Sequence, residues 1–130
     1  MKLDLKELIS KLTNTPIVIE EGSTGSNPAW SYRKWSTGVA ECWGRGSFSV
    51  SYSGWGSLYS SGYGQWNYPS NLFIAEPVCT VSPIVGNGDA WIYGSGSGTK
   101  DKTTKVAYIR PTSAGSGTGY VAIYSVGKWK

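Results

Sequence analysis

Histidine is absent from this sequence. Its absence removes the Ser–His and Cys–His pairs of nucleophilic catalysis and the commonest metal ligand. The two cysteines, Cys42 and Cys79, are too widely separated to read as the close pair of a zinc site, so no metal and no cofactor are implied. The carboxylates are Asp4, Glu7, Glu20, Glu21, Glu41, Glu76, Asp89 and Asp101. Glycoside hydrolysis needs two carboxyls flanking one bond, and only Glu41, Glu76, Asp89 and Asp101 lie beyond the first 29 residues. Glu41 falls mid-strand and faces the run Arg33-Lys34, where a cross-strand ion pair is the expected role. Asp89 follows Gly88 in a turn, a place Asp takes for backbone reasons. The glycines lack the Lys-Ser/Thr signature of a phosphate-cradling loop. The chain is therefore expected to have no catalytic residues and to be a non-enzyme.

The residues that remain for chemistry are aromatic. Between Ser53 and Asn71 stand Trp55, Tyr59, Tyr63, Trp66 and Tyr68, interleaved with Gly and Ser. This is the composition of antibody paratopes, in which rigid rings supply area and small residues supply adaptable backbone contacts. Sugar rings offer apolar C–H faces that stack on such side chains, while Gln65, Asn67 and Asn71 can hydrogen-bond hydroxyls. Trp91 and Tyr93 are candidates for a second contact. The competing reading places these aromatics in the core or between subunits, since aromatics dominate core energetics. Glycines on both sides of Trp55 and of Tyr63 argue for a surface loop. Trp30, Trp35 and Trp43 belong to a hairpin and are expected to be structural.

The positioning elements follow from composition and periodicity. A chain of 130 residues builds one domain with one core. Low charge (15%), 18 glycines and 14% aromatics describe short strands and tight turns. Met1, Leu5, Leu8, Ile9 and Leu12 recur on one helical face, Asp4 and Glu7 resemble a capping pair, and Pro16 closes the segment. Such a helix needs a partner for its stripe: its own sheet, or the same stripe on neighbouring subunits, for which Leu5, Leu8, Ile9 and Leu12 are the oligomerisation candidates. Strand signals follow at 30–35, 39–43, 47–52, 72–74, 78–85, 90–93, 105–110 and 120–126, with loops at 53–71 and 94–104. The expected fold is all-β, an antiparallel β-sandwich of about seven or eight short strands after a short N-terminal helix. Residues 1–16 form the helix, 17–29 an extended linker, and 30–130 the sandwich.

The net charge of +4 is spread along the chain rather than gathered in a stripe, so nucleic acid is not an expected partner. No apolar run approaches a membrane span. The first twelve residues are broken by Asp4, Lys6 and Glu7, unlike a signal peptide, so folding in a cytoplasm and two buried, free thiols are expected.

Three stretches resemble the C-terminal domains of phage tail fibres and prophage minor structural proteins. They are Tyr32-Arg33-Lys34-Trp35-Ser36-Thr37-Gly38-Val39-Ala40-Glu41-Cys42-Trp43-Gly44, then Leu72-Phe73-Ile74-Ala75-Glu76-Pro77-Val78-Cys79, then Gly119 to Trp129, in the order of that family. The resemblance implies a homotrimeric β-sandwich at a fibre tip that contacts the bacterial surface, and hence a place in the virion tail. It leads to an expected function: recognition of a bacterial cell-surface glycan through Trp55, Tyr59, Tyr63, Gln65, Trp66, Asn67, Tyr68, Trp91 and Tyr93. Only residues 1–28 precede the domain, where the family carries a long shaft. Two other readings stand beside it. One is a structural tail or baseplate component with its aromatics buried between subunits, and the other is a lectin or adhesin unrelated to phage. A depolymerase would require two of Glu41, Glu76, Asp89 and Asp101 in one cleft.

Overall fold

The structure, a computed structural model, describes residues 4–84, 90–111 and 114–130. Met1, Val85, Gly88 and Asp89 from the expectations above lie outside that set. The fold is all-β and antiparallel, with a single helix ahead of eight strands among the described residues. No helix among the described residues is long and apolar enough to cross a membrane.

The strands are β1 (Val18–Thr24), β2 (Trp30–Trp35), β3 (Val39–Trp55), β4 (Leu58–Ser60), β5 (Val78–Pro83), β6 (Trp91–Gly96), β7 (Lys105–Arg110) and β8 (Gly115–Lys128). A first layer runs β1-β2-β3-β8-β5, and a second runs β3-β4-β7-β6. β3 belongs to both. It pairs with β8 from Val39 to Tyr52, then with β4 from Ser53 to Trp55. One long strand that passes between layers is a way of turning the corner of a sandwich. The expected strands at 39–43 and 47–52 are thus one element of 17 residues. Gly44 and Gly46 look like breaks in the sequence, but both remain in register with β8.

Alternation on β3 sends Ala40, Cys42, Val50 and Tyr52 inward, and β8 contributes Val121, Ile123 and Ser125 to the same face. Tyr108 and Val106 of β7 meet them from the second layer, with Tyr108 stacked on Phe48 at 5.9 Å between ring centroids. Gly119 makes that contact feasible, because a Cβ there would lie 2.9 Å from both rings.

The stretch 17–29, expected as a linker, is extended, but 18–24 is hydrogen-bonded to β2 as the outermost strand of the first layer. Leu72–Ile74, expected as a strand, is irregular; Leu72 and Phe73 nevertheless fill the core.

The helix α1 (Leu5–Thr13) is capped as its sequence suggests, with the Asp4 carboxylate accepting from the Glu7 amide and Asn14 closing it in the left-handed conformation. Its attachment inverts the simplest expectation. The polar side faces the domain, through Ser10 Oγ to Ser36 Oγ at 2.6 Å and Lys130 Nζ to Glu7 at 2.9 Å. Leu5, Leu8, Ile9 and Leu12 are left exposed, and none of the helix's residues is buried. The stripe therefore has its outer residues, Leu5 and Leu12, mostly in solvent.

Candidate functional site

The segment 53–71 is not one loop. Residues 53–60 are a hairpin, β3 turning at Gly56 (φ +62°) into β4. Residues 61–68 then run alongside the second layer. Gly64 bridges Val106, Asn67 bridges Lys102, and the Tyr68 amide donates to the Asp101 carbonyl at 2.9 Å. This pairing sorts the nine expected ligand-binding residues by side of the chain.

Trp66 and Tyr68 are core residues, 5% and 6% exposed, and do not belong to a surface site. The Trp66 indole lies edge-on to Phe48 and donates to the Ser47 carbonyl at 3.2 Å. Gly46 and Gly64 give it room: a Cβ at either position would come within 2.9 Å of the indole. Gly64, on one side of Tyr63, therefore marks close core packing, whereas Gly62 on the other side faces open space and Tyr63 itself is exposed. Tyr68 packs against Trp30 and Phe73, and its hydroxyl is 2.9 Å from Ser125 Oγ. Burial holds that phenol well above its usual range, the main cause being loss of solvation. Tyr59 is half-buried against the core. Gln65 uses its side-chain amide to hold the Thr103 carbonyl at 2.8 Å, and the backbone carbonyl of Asn67, whose side chain is exposed, accepts from the Trp30 indole. The Gln65 side chain and the Asn67 backbone thus help lock the segment in place.

The other four come together. Register places residue 63 beside Ala107, Ala107 opposite Tyr93, and Trp91 opposite Ile109, all on the outer side of the second layer. Trp55 stacks on Tyr93 at 5.5 Å with the rings 9° from parallel, and Tyr93 Oη meets Ser60 Oγ at 2.8 Å. Lys105 Nζ lies 4.6 Å from the Tyr63 ring centroid. Trp55, Tyr63 and Trp91 are 53%, 58% and 57% exposed. Single exposed aromatics are ordinary, but a group of four on one sheet face is a binding-surface signature. The result is a shallow aromatic platform with one cation and a hydroxyl at hand.

The outer side of the first layer is built differently, around Glu41. Arg33 Nε lies 3.1 Å from Glu41 Oε1, as expected for the facing pair, although its buried N–H is out of line for a hydrogen bond. Tyr124 Oη donates to Glu41 Oε2 and the Trp35 indole to Oε1 at 3.2 Å. The Tyr124 hydrogen bond leads in holding the Glu41 carboxyl below its usual value against the opposing effect of desolvation, with Trp35 and Arg33 assisting. The Arg33 guanidinium also covers Trp43 at 4.8 Å. Glu76 is exposed, and Asp101 pairs with neighbouring Lys100 at 3.2 Å. Glu41 is thus held in the cross-strand network. No group of three or more potential metal ligands occurs among the described residues.

Both cysteines are free thiols, Cys42 buried and Cys79 half-buried. They share a row with Ser125, one on each side of it, on the inner face of the first layer. Burial pushes the Cys42 thiol up to about 12.

No protein-family model and no curated protein sequence matches the chain. Among solved structures it is similar to an N-truncated R1-type pyocin tail fibre, at 12% identity and a TM-score of 0.49, over 98% of this chain and 99% of that one.

Proposed function

We propose that the chain is a non-enzymatic recognition module of the phage tail-fibre kind, which binds a bacterial cell-surface glycan on the platform of Trp55, Tyr63, Trp91 and Tyr93. The likeness of residues 32–44, 72–79 and 119–129 to tail-fibre C-terminal domains supports the tail setting. The Trp55–Tyr93 stack carries the glycan reading. Two nearly parallel rings, one of them more than half exposed, offer the flat apolar surface on which a pyranose C–H face rests. Ser60 and Lys105 lie beside the rings to take hydroxyls. An open platform makes weak single contacts. Assembly as a homotrimer in the virion tail, through the exposed stripe Leu5, Leu8, Ile9 and Leu12, would multiply them by mass action.

The test is a glycan and whole-cell binding screen of the native protein beside Trp55→Ala and Trp91→Ala variants of unchanged oligomeric mass. A stack worth about 1.4 kcal/mol corresponds to a roughly tenfold loss of affinity in each variant. If the native protein binds no glycan or cell, or both variants bind as well as native, the platform is not a receptor site. If the variants lose their assembly instead, the platform is a subunit interface and the structural-component reading replaces this one.

A further inference from the structure

The outer face of the first layer contains a depression that the platform does not involve. Strand register lays its rows out directly. Trp43, Tyr124 and Thr80 form one row across β3, β8 and β5, and Arg45, Ala122 and Ser82 form the next. Tyr120 and Ile84 lie beyond, joined by the Ile84 amide to the Tyr120 carbonyl. Ala122 is the one small apolar side chain in the middle, and its bulky neighbours rise around it. The space above it is about 700 Å³, lined by Trp43, Arg45, Thr80, Ser82, Ile84 and Tyr124 among others. That volume lies within the usual range of small-ligand sites.

The charges in this depression are one-sided. Among the described residues its lining includes Arg33 and Arg45 and no carboxylate. Arg33 is already matched by Glu41. Arg45 is exposed and lies 5.4 Å from the Tyr120 ring centroid, and no carboxylate among the described residues is within ion-pair distance of it. A guanidinium with no carboxylate partner among the described residues, held over an aromatic ring at the rim of a mostly apolar hollow, is a site for one negative charge on a compact body. A nucleic acid backbone would need a track of cations. A lipid tail would leave the Thr80 and Ser82 hydroxyls facing hydrocarbon.

We propose that this depression binds an anionic sugar residue. The ring's C–H face lies against Trp43 and Tyr124 above Ala122, its hydroxyls meet Thr80 and Ser82, and its carboxylate or phosphate pairs with Arg45. The site lies on the layer opposite the platform, so the two stand or fall separately.

Glucuronic acid, glucose 6-phosphate and glucose, titrated into the full chain and followed by NMR through the Trp43 indole N–H, provide the test. Both charged sugars, or one of them, saturate near about 1 mM, as expected of a single small site, and glucose binds at least about tenfold more weakly. Which charged sugar binds tells a uronate from a sugar phosphate. Ala122→Tyr fills the hollow at an exposed position, and Arg45→Gln removes the charge while keeping most of the stem. Each lowers affinity for the charged sugars by about tenfold or more. Equal binding of glucose and glucuronate overturns the proposal, as does native-like binding by Arg45→Gln. A polyglutamate peptide that binds more tightly than any sugar and is lost in both variants would make the depression an acidic-peptide groove. A change of oligomeric mass in Ala122→Tyr would make it an interface between copies. Either result ends the sugar reading.

Discussion

Trp66→Ala and Trp55→Ala, made one at a time, separate the part of 53–71 that builds the fold from the part free to bind. Trp66 is almost fully buried, edge-on to Phe48 and lodged in the notch left by Gly46 and Gly64. Its removal leaves a cavity in a region of close packing and takes the indole donor away from the Ser47 carbonyl. Truncating a buried Trp costs about 3–5 kcal/mol. For a chain of 130 residues that is roughly a 10–20 °C fall in Tm, on the usual unfolding entropy per residue. It is also a large share of the roughly 5–15 kcal/mol that holds such a domain together. Trp55 sits at the end of β3 with half its surface in water and one stacking partner, Tyr93. Losing that stack costs about 0.5–1.5 kcal/mol, a shift of only a few degrees. Thermal and urea unfolding followed by far-UV circular dichroism measure both. If Trp66→Ala melts within a few degrees of native, the segment is not core and its sorting by side of the chain is wrong. If Trp55→Ala costs as much as Trp66→Ala, the platform is a structural cluster and its aromatics are not available to a ligand.

In the native protein at pH 8, a thiol reagent is expected to modify Cys79 well before Cys42, whose thiol is buried and raised to about 12; two thiols reacting equally fast would contradict that burial. The Glu41 carboxyl is depressed in the folded state, so its contribution to stability is present above the unfolded-state value and is lost as pH falls through the folded one. Tyr124→Phe removes the leading cause, and NMR titration of the Glu41 side chain should show its midpoint rising toward the ordinary carboxylate value; an unmoved midpoint would assign the depression to Arg33 or Trp35. Tyr68→Phe leaves the buried Ser125 hydroxyl without that partner and is expected to cost about 1–3 kcal/mol in urea unfolding, more than the double variant with Ser125→Ala. Leu5→Lys with Leu12→Lys is expected to leave Tm nearly unchanged, because both residues are exposed, while reducing the mass measured by light scattering; an unchanged mass would remove the helix from assembly.

The all-β class and much of the strand pattern were legible because period-two alternation is local. Lys105–Arg110 has the same limits in sequence and structure, and Ser47–Tyr52 alternates as read. The facing of Arg33 and Glu41 across the first hairpin was legible too, since a short turn fixes register. The candidate site was legible only in part. Trp55, Tyr63, Trp91 and Tyr93 meet on one face, whereas Tyr59, Trp66 and Tyr68 turn inward. What sorts them is pairing with residues 101–107, some 35–45 positions away, and a composition argument carries no register between distant segments. The polar attachment of the helix was hidden for a related reason. Its apolar stripe was plain, but Ser10 and Glu7 find Ser36 and Lys130 only after the chain has closed.

The same limit explains why the depression over Ala122 carries no signal in the sequence. Along β8, Tyr120, Ala122 and Tyr124 read as an ordinary alternating strand, in which one alanine between tyrosines looks like weak patterning. Across the sheet that alanine is flanked by Arg45 on β3 and Ser82 on β5, and by the Trp43–Tyr124–Thr80 row on one side. Small residues do two separate jobs here according to the face they occupy. On the inner faces, Gly46, Gly64 and Gly119 admit Trp66, Phe48 and Tyr108, so larger side chains there would displace core rings. On the outer face, Ala122 admits no side chain of the described residues, and a larger side chain there has space to occupy among them. A notch that the protein fills is packing, and one that the described residues leave open beside a charge they do not match is a place for something else. This difference argues that the Ala122 hollow is a site rather than a flaw in the sheet.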